Sequence, residues 1–214
     1  RGNDKDAIQQ LALVERALEL LQEGKPARML DVSNEDAKAF KGLQLLTSKP
    51  ILYVCNVEED SAATGNELTK KVAAMAADQG AETVVISARI EEEVAQLDDA
   101  DEKAEFLETL GLEETGLAQV IRAGYSLLGL ITFFTAGPQE VRAWTITDGE
   151  KAPQAAGTIH GDFERGFICA ETIAYDDFVT LGGEQASKDA GKMRQEGRDY
   201  TVHDGDLMLF RFNV

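Results

Sequence analysis

Two short apolar runs on either side of a helical segment place the strongest constraint on the fold. Ile51–Cys55 follows Pro50, and Thr83–Ser87 comes later in the chain. Both runs are continuously apolar or β-branched, which is typical of strands buried on both faces of a parallel sheet. Between them, Thr64–Glu67 matches a helix capping box and precedes apolar residues at helical spacing. Strand, helix and strand in this order predict a βαβ unit with parallel strands.

Apolar residues at helical spacing predict further helices around this unit. The first, over Ile8–Leu21, presents an apolar face that nothing earlier in the sequence can cover. The second begins at the cap-type residues Ser33 and Asn34 and ends near Thr47. Three more follow the second strand, at 90–97, 101–109 and Glu114–Leu128. This part of the chain is therefore expected to be α/β.

The pattern changes after Leu128. We expect a helix over Ala155–Phe163 and a turn at Thr135–Pro138. The segments with strand-like composition or alternation are Ile131–Phe134, Val141–Ile146, Phe167–Ile173 and Leu207–Val214. Strands that alternate with so little helix predict an α+β domain over 129–214.

Charge and composition exclude several classes of function. The chain has 214 residues, and 39 Asp and Glu against 21 Lys and Arg give a net charge of −18. This charge disfavours non-specific binding to nucleic acid or to an anionic membrane. Cys55 and Cys169 are 114 positions apart, so they are expected to be free thiols and not part of a disulfide or a Cys/His zinc site. No apolar stretch is long enough to span a membrane, so we expect a cytoplasmic protein. Because the chain starts at Arg1 and not at Met, it is expected to be a fragment.

The candidate site residues follow the two predicted strands. Asn56, Val57 and Glu59 come after the first strand, and Ser87 and Ala88 end the second. Ligands of open parallel sheets bind outside the carboxyl ends of the strands, so both segments point to one crevice. The Asn amide carries a donor and an acceptor, which suits the edge of a purine. An Asn and a Glu three residues apart are more often ordinary loop residues, so this pattern alone leaves both interpretations open.

A resemblance narrows the choice. Asn-x-x-Glu after one strand and Ser-Ala after the next resemble the base-recognition half of P-loop NTPases, and most closely that of the YchF, or Obg-like ATPase, family. The later motifs resemble the TGS domain of the same family: Arg122–Tyr125, Phe133–Gly137, Glu140–Ile146, Ala152–Gly157, Gly191–Arg194 and Asp204–Asp206. The resemblance covers nearly the whole chain and is strong from Arg122 onward.

The resemblance implies a fold and a domain order. Members of the family have a P-loop nucleotide domain, interrupted by a helical hairpin and followed by a TGS domain with a β-grasp-like fold. Residues 1–30 would be the returning arm of the hairpin, 31–128 the carboxyl-terminal half of the nucleotide domain, and 129–214 the TGS domain. The fold class expected is α/β plus α+β, with a partial parallel sheet.

The resemblance also implies a preference for ATP over GTP. Related GTPases carry Asn-Lys-x-Asp, whose Asp accepts hydrogen bonds from guanine, whereas this family carries Asn-x-x-Glu. Asn56 is then expected to bind the adenine edge, and Val57 to contact the base. Glu59 is expected to disfavour guanine. Ser87 and Ala88 would close the base pocket.

The phosphate-binding part of such a site is missing from this sequence. G-x-x-x-x-G-K-[ST] occurs nowhere in the 214 residues, and no Asp-x-x-Gly loop is placed to hold Mg²⁺. The intact protein is expected to be an ATPase that uses Mg²⁺. This chain alone is expected to be inactive, with no catalytic and no metal-binding residues.

The resemblance names the ribosome as partner. Lys188, Lys192, Arg194 and Arg198 form a basic cluster that either contacts ribosomal RNA or is a solvated surface. The histidines His160 and His203 have no catalytic spacing, and the acidic run Glu91–Glu93 is expected to be a solvated helix face. The alternative to an ATPase is a non-catalytic TGS module that binds RNA, ribosomes or protein.

Overall fold

The structure is a computed structural model that describes residues 5–137 and 140–213. The chain divides into two compact units, Arg1–Leu127 and Leu128–Val214, which we call the N-terminal and C-terminal units. This division lies beside the boundary expected at 128/129, and the separate hairpin arm expected over 1–30 stays a prediction. In the part of the chain that the structure describes, no helix has the length and apolar character needed to cross a membrane.

The N-terminal unit contains a two-stranded sheet and six α-helices among its described residues. The strands are β1 (Leu52–Asn56) and β2 (Glu82–Ile86). The helices are α1 (Lys5–Gln22), α2 (Ala37–Gly42), α3 (Glu67–Asp78), α4 (Ala88–Ala95), α5 (Ala100–Thr109) and α6 (Gly116–Leu128).

The strands β1 and β2 are parallel, which confirms the βαβ prediction. Their register runs from Leu52 opposite Glu82 to Asn56 opposite Ile86, and α3 connects them. The expectation that both faces of these strands are buried is wrong, because Val54 keeps 46% of its surface exposed. A sheet of two strands consists of two edge strands, and the described residues do not enclose it.

The capping box of α3 lies two residues later than the sequence predicted. Asn66 is the N-cap, and its side chain accepts hydrogen bonds from the backbone N–H groups of Leu68 and Thr69 at 2.9 and 3.0 Å. Thr69 Oγ1 in return accepts from Asn66 N at 2.9 Å. Gly65 has a φ of +70°, so the chain turns before the helix begins and Thr64 lies outside it.

The second predicted helix is much shorter than expected. It is limited to α2, and Gln44 just beyond it has a φ of +51°. A positive φ cannot continue a right-handed helix, so the periodic apolar residues up to Thr47 do not form one element.

The apolar stripe of α1 is exposed, as the sequence predicted for a helix without a covering partner. Leu13 and Ala17 on the other side of this helix are buried instead. The exposed residues of the stripe are Ile8, Leu11, Val14, Leu18 and Leu21. On α6, Leu117, Ile121 and Leu128 are exposed in the same way.

The C-terminal unit is built on a mixed five-stranded sheet. The strands are β3 (Leu130–Ala136), β4 (Val141–Thr147), β5 (Phe167–Ile173), β6 (Arg194–Glu196) and β7 (Leu207–Phe212). Their order is β4-β3-β7-β5-β6, with β3 and β7 parallel and the other neighbours antiparallel. The four predicted strands are thus confirmed. The turn residue Pro138 lies outside the described residues.

Four helices accompany this sheet: α7 (Ala152–Ile159), α8 (Gly161–Arg165), α9 (Tyr175–Leu181) and α10 (Glu184–Asp189). The single helix predicted over Ala155–Phe163 is wrong, because the extended backbone of His160 separates α7 from α8. The fully buried alanines of α7 allow this helix to pack closely on the sheet: Ala152, Ala155 and Ala156.

Aromatic side chains fill the core between α7 and the sheet. Phe133 is fully buried, lies edge-on to Phe210 with ring centroids 5.9 Å apart, and stacks with Trp144 at 6.4 Å. The indole Nε1 of Trp144 donates to Thr135 Oγ1 at 2.9 Å. Trp144 is therefore a partly buried residue that packs against this core and has a satisfied polar atom.

Candidate functional site

The structure brings together the two loops that follow β1 and β2. Asn56 and Ile86 are opposite each other at the carboxyl ends of these strands. Asn56 Oδ1 accepts a hydrogen bond of 2.9 Å from the backbone N–H of Ala88, and Val57 N donates to Ile86 O at 2.8 Å. The parallel register is what allows residues 32 positions apart to meet.

The Asn56 side chain keeps hydrogen-bonding capacity for a ligand. Its contact with Ala88 uses one lone pair of Oδ1 and fixes the plane of the amide. The Nδ2 group and the second lone pair of Oδ1 remain, and the residue is exposed. Donor and acceptor side by side match the N7 and N6–H₂ groups of adenine.

An open groove of about 320 Å³ lies beside Asn56. It runs along β1 from Tyr53 to Val57 and reaches Leu68 in the first turn of α3. Its apolar lining offers a surface for a flat ring next to the polar Asn56 side chain.

Glu59 is joined to the first turn of α4 by an ion pair. Its Oε1 lies 2.6 Å from Nε of Arg89, the residue that follows Ala88. Arg89 is a site residue that the sequence reasoning missed. A signal existed in its charge, opposite to that of Glu59, and in its position directly after Ser-Ala at the end of a parallel strand.

Ser87 is the residue between β2 and α4, and it is buried. It is 3% exposed, and its Oγ has no hydrogen-bond partner among the described residues. Its backbone oxygen accepts from Glu91 N at 3.1 Å in the first turn of α4. A buried hydroxyl without a partner costs free energy, and this one is adjacent to Ala88 in the loop that meets Asn56.

Glu91 has a structural role that corrects the sequence interpretation. Its carboxylate accepts from the backbone N–H groups of Gly116 at 2.6 Å and Leu117 at 3.0 Å. These groups begin α6, so Glu91 caps that helix from a neighbouring one and is not a solvated side chain.

Three residues of the basic cluster have partners inside the C-terminal unit. Lys192 Nζ lies 3.0 Å from Asp177 Oδ1, and Arg198 donates to the backbone oxygen of Phe167 at 2.7 Å. Arg194 donates to the Tyr200 hydroxyl at 3.1 Å, and its Nε lies 3.3 Å from Glu196 Oε1.

The fourth residue, Lys188 at the end of α10, has no ion pair with any described residue. The structure therefore does not present the four side chains as one free basic patch. Their contact with RNA stays a prediction.

A buried network surrounds Asp206 in the same unit. Its Oδ2 accepts from the Tyr200 hydroxyl at 2.7 Å and from His203 N at 2.9 Å. Burial, followed by the hydrogen bond to Asp206, raises the pKa of Tyr200 well above its usual range.

The other histidine, His160, is the N-cap of α8, where its Nδ1 accepts a hydrogen bond from Asp162 N at 3.2 Å. Both histidines thus make structural contacts.

The described residues contain no group of three or more His, Cys, Asp or Glu side chains that could hold a metal ion. Cys55 and Cys169 are free thiols, as expected.

Comparison with known proteins gives the same relatives along the whole chain. The family model YchF-GTPase_C, described as "Protein of unknown function (DUF933)", matches residues 130–213. The "Ribosome-binding ATPase YchF" of Bacillus subtilis (strain 168) is 54% identical over 216 residues, covering 100% of this chain and 59% of the relative. "Obg-like ATPase 1" of Oryza sativa subsp. japonica is 42% identical, with 100% and 54% covered.

A solved structure is similar in fold. The Schizosaccharomyces pombe YchF GTPase matches with a TM-score of 0.84 at 32% identity, over 99% of this chain and 57% of that one. The chain therefore spans between 54% and 59% of the length of these relatives.

Proposed function

The chain belongs to the family of YchF and Obg-like ATPases, and from this premise we propose that it supplies the base-binding loops and the TGS domain of a ribosome-associated ATPase that prefers ATP over GTP. The observation that carries the proposal is the hydrogen bond between Asn56 and Ala88, which joins the two loops at the carboxyl end of the sheet. The mixed sheet of the C-terminal unit supports a β-grasp-like TGS fold for this part.

The proposed preference for adenine follows from hydrogen-bond complementarity. Asn56 donates from Nδ2 to N7 and accepts at Oδ1 from the N6 amino group. Related GTPases carry an Asn at the same place in their motif and bind guanine, so the discrimination between the two purines is assigned to Glu59. Val57 packs on the base, and Glu59 takes the place of the Asp that accepts from guanine in related GTPases. Ser87 and Ala88 close the pocket from the second loop.

Phosphate binding and hydrolysis are assigned to parts of the relatives beyond the matched region. G-x-x-x-x-G-K-[ST] occurs nowhere in the 214 residues. Mg²⁺ would neutralise charge on the phosphates, and among the described residues no cluster fits it. The chain's own residues bind and orient the base.

The ribosome is the proposed partner, because relatives at 54% and 52% identity are named ribosome-binding ATPases. A cytoplasmic location follows from that partner. Lys188 is the basic side chain of the C-terminal cluster that is left for RNA, because the other three hold structural partners.

The test of the base site uses the natural protein that contains this chain, with ATP and GTP affinities measured by titration. Asn56→Ala is expected to weaken ATP binding by about tenfold, the effect of losing a bidentate contact to the base. Glu59→Asp is expected to lower the ratio of the GTP to the ATP dissociation constant, because Asp is the residue type that binds guanine in related GTPases.

The matched control is Glu58→Asp, which makes the same change at an exposed neighbour. It should leave the ratio unaltered. An unchanged ATP affinity in Asn56→Ala together with an unchanged GTP-to-ATP ratio in Glu59→Asp would contradict the assignment of the base site.

A second candidate is a TGS module that binds the ribosome, RNA or protein without catalysis. The observation in its favour is that the C-terminal unit has a hydrophobic core of its own. Ribosome association of the natural protein discriminates the two: an ATPase switch requires it to differ between ATP and ADP, whereas a module binds equally with both.

A further inference from the structure

We infer that Arg89 is a specificity-determining residue, which keeps the Glu59 carboxylate away from guanine and thereby widens the preference for ATP. This inference rests on the proposed function of the base site. It concerns a residue that neither the motif pattern nor the base-contact assignment includes. Its basis is the ion pair between Glu59 and the first turn of α4, and the position of that pair beside the Asn56–Ala88 hydrogen bond.

The geometry makes Arg89 the second link between the segment after β1 and the first turn of α4. Ala88 donates its N–H to Asn56, and the next residue, Arg89, places Nε 2.6 Å from Glu59 Oε1. The same Nε lies 3.8 Å from Glu93 Oε1, one turn further along α4. Glu59 is thus held toward α4 by a side chain whose own backbone is fixed next to Asn56.

The chemistry of the two purines explains why this pair changes selectivity. An ionised carboxylate only accepts hydrogen bonds, and guanine offers N1–H and N2–H₂ donors where adenine has an acceptor and a C–H. A free Glu59 would bind these guanine donors. The Arg89 guanidinium engages Oε1 of Glu59 and compensates the charge of the carboxylate, so Glu59 is a poorer acceptor for guanine. The binding of adenine is unaffected, because adenine has no donor for this carboxylate.

The expected effect is modest, because the pair is open to solvent. The side chains of Arg89 and Glu59 are 71% and 40% exposed, and exposed ion pairs contribute little. We expect a change of about two- to fivefold in selectivity, which titration resolves.

The experiment measures ATP and GTP dissociation constants for the natural protein and its Arg89→Met variant. Arg89→Met is expected to tighten GTP binding by about two- to fivefold relative to ATP. Removing a positive charge weakens the general attraction for both anionic nucleotides equally, so the ratio of the two constants isolates the effect on the base. In a Glu59→Gln background, Arg89→Met should no longer change this ratio, because the carboxylate it releases is absent.

Arg122→Met is the matched control. Arg122 is 73% exposed and forms an ion pair with Glu114 in the same unit, so its removal changes charge and exposure similarly. An Arg89→Met ratio equal to that of wild type, or an equal change in the Glu59→Gln background, overturns the inference. A wild-type protein without a preference for ATP overturns the proposed function as well, so the two failures are distinguishable.

Discussion

The Tyr200 hydroxyl is a central donor in the buried polar network of the C-terminal unit. Asp206 is 3% exposed, and its carboxylate receives hydrogen bonds from Tyr200 and from His203 N, with Arg194 Nη2 at 3.8 Å. A buried carboxylate that loses a donor pays a desolvation cost. The same turn holds β3, because Asp206 O accepts from Phe134 N at 2.8 Å. Loss of the Tyr200 hydroxyl should therefore destabilise the sheet.

Tyr200→Phe is expected to lower the free energy of unfolding by about 1–3 kcal/mol at neutral pH. It should also change the response to alkali. Because the folded state raises the pKa of Tyr200, its contribution is fully present below the unfolded pKa of about 10 and is lost as pH rises through the folded value. The variant should therefore lose stability less steeply above about pH 10. Urea unfolding across this range measures both effects, and Tyr175→Phe at an exposed tyrosine is the control. If the free energy of unfolding falls with pH equally steeply in Tyr200→Phe and wild type, the linkage is refuted.

At the scale of elements, local patterns were sufficient for the strands that contain apolar or alternating residues. β1, β2 and β5 were predicted within about one residue, because each signal lies within the strand itself. β6 is Arg-Gln-Glu and exists through pairing with β5, for example Glu196 opposite Ala170, so no local pattern reveals it. Helix α9 was also not predicted, although Asp176 and Asp177 in its first turn are a helix-start signal.

The candidate site divides in the same way. That Asn56 and Ala88 lie at one crevice followed from the rule for parallel strands. The contacts of Arg89 with Glu59 and of Glu91 with α6 depend on how α4 is oriented against its neighbours. Such contacts bring together side chains from distant parts of the sequence, and periodicity within one element carries no information about them.

Glu91→Ala tests the cap that links two helices. We expect it to destabilise the N-terminal unit by about 1 kcal/mol, because Gly116 N and Leu117 N lose their acceptor at the start of α6. Hydrogen exchange of the first turn of α6 should accelerate with it. Glu92→Ala removes the neighbouring exposed carboxylate and should leave both quantities unchanged. Equal effects of the two variants would mean that helix propensity, and not the cap, is being measured.

On the scale of the whole molecule, the two units differ in how completely they bury apolar side chains. The C-terminal unit has a continuous core around Phe133, Phe167 and Phe210. In the described residues of the N-terminal unit, the core around Ile90 and Leu107 is smaller, while the stripes of α1 and α6 are exposed. Exposed apolar stripes mark interaction surfaces, and the chain spans only 54–59% of its relatives' length. We therefore expect the N-terminal unit to be the less stable of the two.

A fragment of residues 128–214 is accordingly expected to fold alone and to unfold cooperatively. Its thermal midpoint should match the upper of two transitions in the 214-residue chain, because its core lies within the fragment. Ile146→Val should lower that midpoint equally in fragment and chain, at a cost of about 1 kcal/mol for the lost methylene. Ile90→Ala should move only the lower transition, since Ile90 lies in the N-terminal core. Circular dichroism and calorimetry measure these midpoints, and a fragment that melts without cooperativity would falsify the independence of the C-terminal unit.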